Sequence, residues 1–299
     1  MRFCAVIVTY NRLELLKGAI ESLRNQTENC DILIVNNGSN DGTREWLENQ
    51  HDLIILNQDN AGGAGGFFTG LKYVAENNYD FAWAMDDDII ANADTLKELT
   101  TAYDFLQSKG EKIGILASVV TDADGNPVNI PRIDSKINST GYSDWPRYLA
   151  EGILPIDMAT FVSLLIPTAL IREIGLPIKE FFIWGDDTEY TLRAARNYQN
   201  FYIGRSKIKH LRNGGALTLD RINDPNRIKI YWRSIRNLGY LYKKDYIKGM
   251  SYRRYILSNI KKAIKYFLKG QKNKSQTILN GLKELRNFNP SIEYPIVKK

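Results

Sequence analysis

The chain of 299 residues is long enough for one large domain or two modest ones. Its hydrophobic share of 43% and charged share of 25% are those of a soluble globular protein. It has no apolar run long enough to span a bilayer and no basic-then-apolar start typical of a signal peptide. Cys4 and Cys30 have no metal-ligand spacing, so we interpret both as reduced thiols of a cytoplasmic protein.

The net charge of +6 is distributed unevenly. Residues 250–299 carry 12 Lys/Arg against 2 Asp/Glu, a net charge of +10, and the remainder therefore carries −4. The basic pI thus describes the C-terminal segment and argues against a general polyanion-binding surface. A nucleic-acid-binding protein, which would bind with a steep salt dependence, is disfavoured for this reason.

Strand-like and helical patterns alternate along the first part of the chain. Short apolar runs typical of buried strands lie at 3–9, 31–35, 53–56 and 81–85. Helical patterns follow at 13–23, 43–49, 67–76 and 95–108. This alternation predicts an α/β fold with a mostly parallel central sheet flanked by helices. In such a sheet, ligands bind beyond the carboxyl ends of the strands.

The later elements are less regular. We predict a strand at 113–120, a short helix at 168–174 and one or two strands at 201–210. The segment 121–154 is rich in turn residues, which favours a mobile loop over a site. An aromatic strand is predicted at 181–184, ahead of a helix. After Gly215 the pattern is helical and rich in Tyr, Lys and Arg.

Three adjacent carboxylates, Asp86, Asp87 and Asp88, end the strand 81–85. Their mutual repulsion would be offset by a divalent cation, since carboxylate oxygens suit Mg²⁺ or Mn²⁺. In an extended chain the side chains of residues i and i+2 point the same way. We therefore expect Asp86 and Asp88 to reach one ion while Asp87 faces elsewhere. A solvated acidic loop is the alternative.

A second unusual stretch is the glycine-rich loop predicted at 57–66, with four glycines between Asn60 and Phe67. It is not a Walker loop, and it does not follow the first strand as a dinucleotide fingerprint would. Glycines let the backbone pass close to a ligand, and a helix N-terminus follows. A flexible turn is the alternative, but close approach of a ligand is favoured by the nearby acidic triplet.

Asp186 and Asp187 lie between the predicted aromatic strand and a helix. They could cap that helix, because Asp is favoured at its first positions. The neighbouring aromatic side chains could instead desolvate a carboxylate and raise its proton affinity, as a general base near neutral pH requires. His210, followed by Asn213-Gly214-Gly215, is consistent with a metal ligand in a loop, although a lone histidine is more often structural.

In their order and residue types these motifs resemble those of the family 2 glycosyltransferases of the GT-A fold. The resemblance rests on Val8–Arg12, Val35–Thr43, Asn60–Gly66 and Asp86–Asp88. The glycine-rich stretch, the triple Asp and Trp184–Tyr190 look most like galactofuranosyltransferases, with rhamnosyltransferases as the nearest competitor. Tyr231–Asn237 resembles an aromatic–Arg–Asn helix common to both. The resemblance implies a GT-A domain at 1–240 and a basic helical extension at 241–299.

The resemblance also implies a role for each matching position. Nucleotide-sugar binding is implied for Thr9, Arg12, Asn37, Asn60, Gly63, Asp86 and Asp87, although the family more often has Asp where Asn37 stands. A Mn²⁺ or Mg²⁺ ion would be held by Asp86, Asp88 and His210. Asp187 would deprotonate the acceptor hydroxyl, and Trp184 and Asp186 would bind the acceptor.

The implied activity is a metal-dependent, inverting transfer of galactofuranose from UDP-galactofuranose to a hydroxyl of a cell-surface glycan or lipid-linked acceptor. One base suffices for such an inversion, and no covalent enzyme nucleophile is needed. A rhamnosyltransferase using dTDP-rhamnose is the alternative within the enzyme class. A non-catalytic nucleotide-sugar-binding module is the alternative outside it, and the joint presence of Asp86, Asp88, Asp187 and His210 speaks against this module.

The basic C-terminal segment has apolar residues at helical spacing, with Lys and Arg on other faces. The apolar positions are Tyr252, Tyr255, Ile256, Ile260, Ala263, Ile264, Phe267 and Leu268. Such a helix could lie on an anionic membrane or pack on its own domain. The implied acceptors favour the membrane slightly, with contact through residues 250–269 at the inner face of the cell membrane. The sequence leaves the oligomeric state open.

Overall fold

The computed structural model describes residues 1–211 and 218–296 of the chain. The strands are β1 (Phe3–Thr9), β2 (Asp31–Asn36), β3 (Leu53–Asn57), β4 (Phe81–Asp86), β5 (Ile89–Ala91), β6 (Ile113–Thr121), β7 (Arg132–Ile133), β8 (Ile153–Met158), β9 (Leu164–Pro167) and β10 (Gln199–His210). The α-helices are α1 (Leu13–Arg24), α2 (Thr43–Leu47), α3 (Gly62–Glu76), α4 (Thr95–Ser108), α5 (Thr168–Ile174), α6 (Asp186–Ala194), α7 (Pro225–Ile230), α8 (Trp232–Lys243), α9 (Tyr252–Leu268) and α10 (Lys272–Leu285). The loop predicted at Asn213-Gly214-Gly215 lies outside the described residues.

The strands form one sheet in the order β3-β2-β1-β4-β9-β6-β10-β8-β7, and β5 pairs with β10. Strands β3, β2, β1 and β4 are parallel, as are β6 and β10. Strand β9, however, lies antiparallel between β4 and β6, and β8 is antiparallel to β10. The sheet is therefore mixed rather than mostly parallel. Residues 122–152, which join β6 to β8, contain β7 and a 3₁₀ helix, Trp145–Glu151, but no α-helix of the kind that usually joins parallel strands.

Both faces of the sheet are covered by helices, as the predicted α/β class requires. Successive residues of β1 point to opposite faces, so Ile7 packs with Leu16 of α1 on one side. Val6 packs with Leu71 of α3 on the other side. The run of buried residues along β1 explains why its sequence is continuously apolar rather than alternating. This arrangement leaves the carboxyl ends of β1, β2 and β4 along one edge.

The glycine-rich stretch is mostly helix rather than loop, because α3 begins at Gly62. A methyl group on Gly66 would lie well inside van der Waals distance of Val8 in β1, and one on Gly62 would overlap the Phe182 carbonyl. Gly62 also has φ +71°, a conformation that favours glycine. Two of the four glycines, Gly62 and Gly66, therefore let α3 approach other parts of the protein, and close approach of a ligand along this stretch stays a prediction.

Replacing Gly66 with Ala should lower the free energy of unfolding by about 1–3 kcal/mol, because the added methyl group overpacks against Val8. Gly63→Ala is the matched control in the same helix, since its methyl group would meet no other atom of the described residues within 4 Å. That control should be neutral or stabilising by up to about 1 kcal/mol. Equal effects of the two substitutions in urea denaturation would contradict this account of the packing.

The predicted aromatic strand at 181–184 is wrong. A 3₁₀ helix, Lys179–Phe181, is followed by an irregular loop in which Phe182 and Trp184 have φ of +64° and +65°. Left-handed residues cannot continue a strand, and the apolar run was too short to separate the two structures by pattern alone. We call residues 181–185 the aromatic loop. The one or two strands predicted at 201–210 are one continuous strand, β10, with an irregular register.

Helices α9 and α10 pack against α8 and against Phe181 of the aromatic loop. Tyr255 of α9 and Leu285 of α10 join Phe181 and Tyr240 in one buried cluster. The ring of Phe288 lies 5.7 Å from that of Phe181. The C-terminal segment therefore supports the loop from behind. Within the described ranges, no helix combines the length and apolarity needed to cross a membrane.

Candidate active site

The acidic triplet lies at the carboxyl end of β4. Asp86 is the last residue of that strand, and Asp87 and Asp88 form a turn into β5. Thr9 donates a 2.7 Å hydrogen bond to Asp87, and Asp88 faces His210. The outer two acids thus converge while Asp87 points elsewhere, as predicted. The backbone reason differs, because a turn rather than an extended chain separates them.

His210 reaches the acids through strand pairing. It is the last residue of β10 and pairs with Ile89 of β5, directly beyond the acidic turn. Its Nε2 atom lies 2.9 Å from Asp88 Oδ1 and 3.9 Å from Asp86 Oδ2. Its Nδ1 atom lies 2.9 Å from Asn129 Oδ1. Nε2–H donates to Asp88 here, and a metal ion bound by the two carboxylates would take the place of that proton, while Nδ1–H would then donate to Asn129.

The three side chains Asp86, Asp88 and His210 fit a divalent metal. Each offers one ligand atom, and these atoms lie within 4.8 Å of one another. Two carboxylates and an imidazole suit Mn²⁺ or a similar ion. Asp86 keeps 40% of its side-chain surface accessible through the cavity, while burial by the surrounding protein and the charge of Asp88 raise its pKa to about 7. Burial and the neighbouring charge of Asp88 both disfavour the Asp86 carboxylate, and a bound cation would offset them.

Arg12 ties the other side of the triplet together. Its Nη1 atom lies 3.2 Å from Asp87 Oδ1 and 2.7 Å from Asp88 Oδ2. Burial raises the pKa of Asp88, but the hydrogen bonds and charges of His210 and Arg12 outweigh it and lower the pKa overall. Burial raises the pKa of Asp87, against the opposing effects of Arg12 and Thr9. Thr9 and Arg12 thus hold the acidic turn in place, a role that the sequence did not indicate.

A cavity of about 330 Å³ adjoins this turn at the ends of β1 and β2. The residues with an implied nucleotide-sugar role all line it: Thr9, Arg12, Asn37, Asn60, Gly63, Asp86 and Asp87. Asn37 is buried and bonds to Gly62 O and to the Gln58 side chain. Asn60 accepts a hydrogen bond from Gly62 N. The structure brings these residues together, and their contact with a nucleotide stays a prediction.

Asp186 and Asp187 are the first residues of α6. Both line a second cavity, of about 410 Å³, together with Asp86, Asp88 and His210. Arg12 and Gly63 line both cavities, so the two adjoin. The Asp pair and the acidic turn therefore share one site although they are far apart in sequence.

Burial governs the protonation of this pair. It raises the pKa of Asp186 to about 8, with Asp187 adding to the effect, and it also raises the pKa of Asp187. Asp187 Oδ1 accepts a 2.6 Å hydrogen bond from Thr188 N, which orients the carboxylate at the helix N-terminus. A carboxylate with raised pKa at a cavity wall is a suitable general base.

The aromatic loop that precedes these acids is held by α8. The Asn237 side-chain amide donates to the carbonyls of Phe181, Ile183 and Trp184 at 3.0, 3.0 and 2.8 Å. Arg236 donates to Glu180 O at 2.6 Å. The motif Tyr231–Asn237 therefore has a structural role that the sequence did not show, because its Asn and Arg side chains hold the aromatic loop. It places Trp184, whose ring lies 5.5 Å from that of Tyr231, at the cavity wall.

Replacing Asn237 with Ala should lower the free energy of unfolding by about 1–3 kcal/mol, because three loop carbonyls lose a buried donor. Asn77→Ala is the control, since that exposed amide donates only to Tyr73 O at the end of α3. The loop should also become more accessible to proteolysis near Trp184. A variant with unchanged unfolding and proteolysis would show that the clamp contributes nothing.

Comparison with known proteins gives this site a context. Residues 4–141 match the model of glycosyl transferase family 2. Residues 4–141 form a family 2 glycosyltransferase domain. The chain is 25% identical to galactofuranosyltransferase GlfT1 of Mycolicibacterium smegmatis, over 80% of this chain and 82% of that protein. It is 28% identical to GlfT1 of Mycobacterium tuberculosis strain CDC 1551, over 64% of each. The protein is a glycosyltransferase that most resembles galactofuranosyltransferases, as predicted.

Solved structures confirm the fold of this glycosyltransferase. S. aureus TarS 1-349 in complex with UDP-GlcNAc superposes with a TM-score of 0.57 and 15% identity, covering 95% of this chain and 80% of that one. The mannosyltransferase PcManGT from Pyrobaculum calidifontis, in complex with GDP-Man and Mn²⁺, gives 0.55 and 13%, covering 96% and 87%. The predicted GT-A fold is correct.

Two residues of this site escaped the sequence-based analysis. Asn129, in the irregular segment 121–154, orients His210 and lines the larger cavity. Arg227 of α7 lines the same cavity. Neither belongs to a recognisable pattern, since an isolated Asn in a turn-rich stretch and an Arg in a basic helix are ordinary. They reach the site only because segments that are distant in sequence fold together.

Proposed function

We propose that this glycosyltransferase moves galactofuranose from UDP-galactofuranose to a hydroxyl of a growing cell-surface glycan or a lipid-linked saccharide. The similarity to two galactofuranosyltransferases supports this donor. The observation that carries the proposal is the single site in which the acidic turn faces Asp186 and Asp187. One end can bind a nucleotide diphosphate, and the other can activate an acceptor.

The proposed donor site is the smaller cavity. Asn37 and Asn60 line it, and Gly63 leaves room because nothing in the described chain lies within 4 Å of a methyl group built there. Asp86, Asp88 and His210 would hold Mn²⁺ or Mg²⁺ beside it, with Asp86 lining both cavities. When bound, the ion would neutralise charge that develops on the diphosphate leaving group.

The proposed acceptor site is the larger cavity. Trp184 offers an apolar face on which a sugar ring can lie, and Asp186 can accept hydrogen bonds from its hydroxyls. Asp187 would remove the proton from the attacking hydroxyl, whose oxygen forms a bond to the anomeric carbon as the bond to the diphosphate breaks. Attack from the face opposite the leaving group inverts the configuration. Asp187 returns the proton to solvent.

The test is release of free nucleotide from a panel of nucleotide sugars with a saccharide acceptor. UDP-galactofuranose with Mn²⁺ should give the fastest release, and a chelator should abolish it. Faster turnover of dTDP-rhamnose would favour the rhamnosyltransferase alternative. Binding of nucleotide sugars without transfer to any acceptor would favour a non-catalytic module.

The proposed partners are thus a nucleotide-diphosphate sugar and a glycan or lipid-linked acceptor. A lipid-linked acceptor places the enzyme at the inner face of the cell membrane. We propose a cytoplasmic enzyme there, associated peripherally through its basic extension. We assign it no nucleic-acid partner, because the net positive charge is confined to residues 250–299 and the rest of the chain is net negative.

A further inference from the structure

Helix α9 has two apolar faces, and the described residues 1–211 and 218–296 bury only one of them. Tyr255, Ala263 and Tyr266 are buried against the rest of the protein. Tyr255 donates a 2.7 Å hydrogen bond to Ile235 O, and Tyr266 bonds to Asp220. These bonds fix the rotation of the helix. The eight apolar positions noted in the sequence therefore come from both faces of α9. Those on the buried face pack on the domain.

The other face presents five large apolar side chains to solvent. They are Leu257, Ile260, Ile264, Phe267 and Leu268, with exposed fractions from 37% to 79%. Their spacing places them along one side of the helix, roughly opposite the buried tyrosines. Single exposed apolar residues are ordinary, but a continuous stripe of this length marks an interaction surface. We call these five residues the outer stripe.

One edge of the outer stripe is basic. Arg254, Lys261, Lys265 and Lys269 recur at helical spacing and are exposed. The sequence has no Asp or Glu from Tyr246 to Lys283, so nothing acidic within this segment compensates them. An apolar stripe bordered by uncompensated positive charge is complementary to a surface that is apolar inside and negative outside.

We infer that the outer stripe and its basic edge form a docking surface for an anionic lipid membrane. The apolar side chains enter the boundary between headgroups and acyl chains, and the four basic side chains contact lipid phosphates. The helix lies in the plane of the interface, since it is not apolar enough to cross the membrane. This surface specifies the peripheral association named under the proposed function and rests on that proposal, whereas its vesicle test is independent of sugar transfer.

The test is flotation of the full chain with vesicles of phosphatidylcholine, alone or mixed with phosphatidylglycerol. The wild type should float with the anionic vesicles. Leu257→Ser/Ile264→Ser should bind at least about 100-fold more weakly, given the apolar area withdrawn from lipid. Lys261→Gln/Lys265→Gln should bind roughly 30-fold more weakly, since each basic residue contributes about a five- to sixfold factor. The control Ile137→Ser/Leu149→Ser removes two equally exposed apolar residues elsewhere and should bind as the wild type does.

Point substitutions are required because deleting residues 250–299 would also remove Tyr255 and Leu285 from the cluster behind the aromatic loop. All substituted side chains are exposed or lie on the outer stripe, so the melting temperature should not change. Equal flotation of the stripe variant and the wild type would overturn the proposal. A wild type that does not float with anionic vesicles would also overturn it. If the wild type is then a dimer and the stripe variant a monomer, the surface binds a second copy of the chain.

Discussion

Asp187→Asn should lower the turnover number for sugar transfer by about 10² to 10⁴-fold while leaving the affinity for the nucleotide sugar unchanged. This range is the usual contribution of a positioned general base. The substitution keeps the side-chain size and an oxygen that can accept the bond from Thr188 N. It removes only the ability to take up a proton. The proposed donor site is the other cavity, which Asp187 does not line.

The pH profile gives the same prediction a second readout. Burial raises the pKa of Asp187, so the carboxylate form accumulates only as the pH rises through that raised value. The turnover number should therefore increase with pH across the region where an ordinary carboxyl group has already ionised. This ascending limb should be absent from the residual activity of Asp187→Asn.

Asp104→Asn, on the exposed surface of α4, is the matched control and should behave as the wild type. A profile and a rate near those of the wild type in Asp187→Asn would refute its role as base. If Asp186→Asn shows the large loss instead, the two neighbours exchange the roles assigned to them.

Asp86→Ala should reduce transfer at least about 100-fold, since even changes behind a metal ligand typically cost 10 to 100-fold. The site would keep Asp88 and His210 but lose one of three ligand atoms. The fold should be unaffected, because the Asp86 side chain is 40% exposed and its removal relieves repulsion with Asp88. Manganese binding in the presence of UDP, followed by electron paramagnetic resonance, should weaken in parallel.

Asp80→Ala, at the opposite end of the same strand, is the control for this experiment. Asp80 is exposed and accepts a hydrogen bond from Arg2 N, so its loss should leave metal binding intact. Full activity of wild type in excess chelator would sink the metal proposal. Normal manganese binding by Asp86→Ala would remove Asp86 from the ligand set while leaving the proposal for Asp88 and His210 standing.

The N-terminal half of the fold was predictable because its strands are buried on both faces. Such strands leave a plain signal, a short apolar run that ends in polar residues at the edge of the sheet. The acidic turn, Thr9 and Asn37 all follow runs of this kind. Their convergence followed from parallel pairing alone.

The rest of the site depends on contacts between distant segments, which no local pattern encodes. The glycines of α3 are typical of a loop until the positions of Val8 and Phe182 are known. The aromatic loop is apolar enough for a strand, but its geometry is set by the side chain of Asn237. The resemblance indicated His210 as a proposed metal ligand, whereas no local pattern indicated its partner Asn129.

The support of the aromatic loop by the C-terminal helices has a consequence for synthesis of the protein. On the ribosome, all strands of the sheet have been made once residue 210 has been translated. Phe288, which packs against Phe181 and lies beneath the guanidinium of Arg236, emerges much later. The nascent protein can therefore form the sheet and its acidic turn first, and it can seat the aromatic loop only when its last helix has left the exit tunnel.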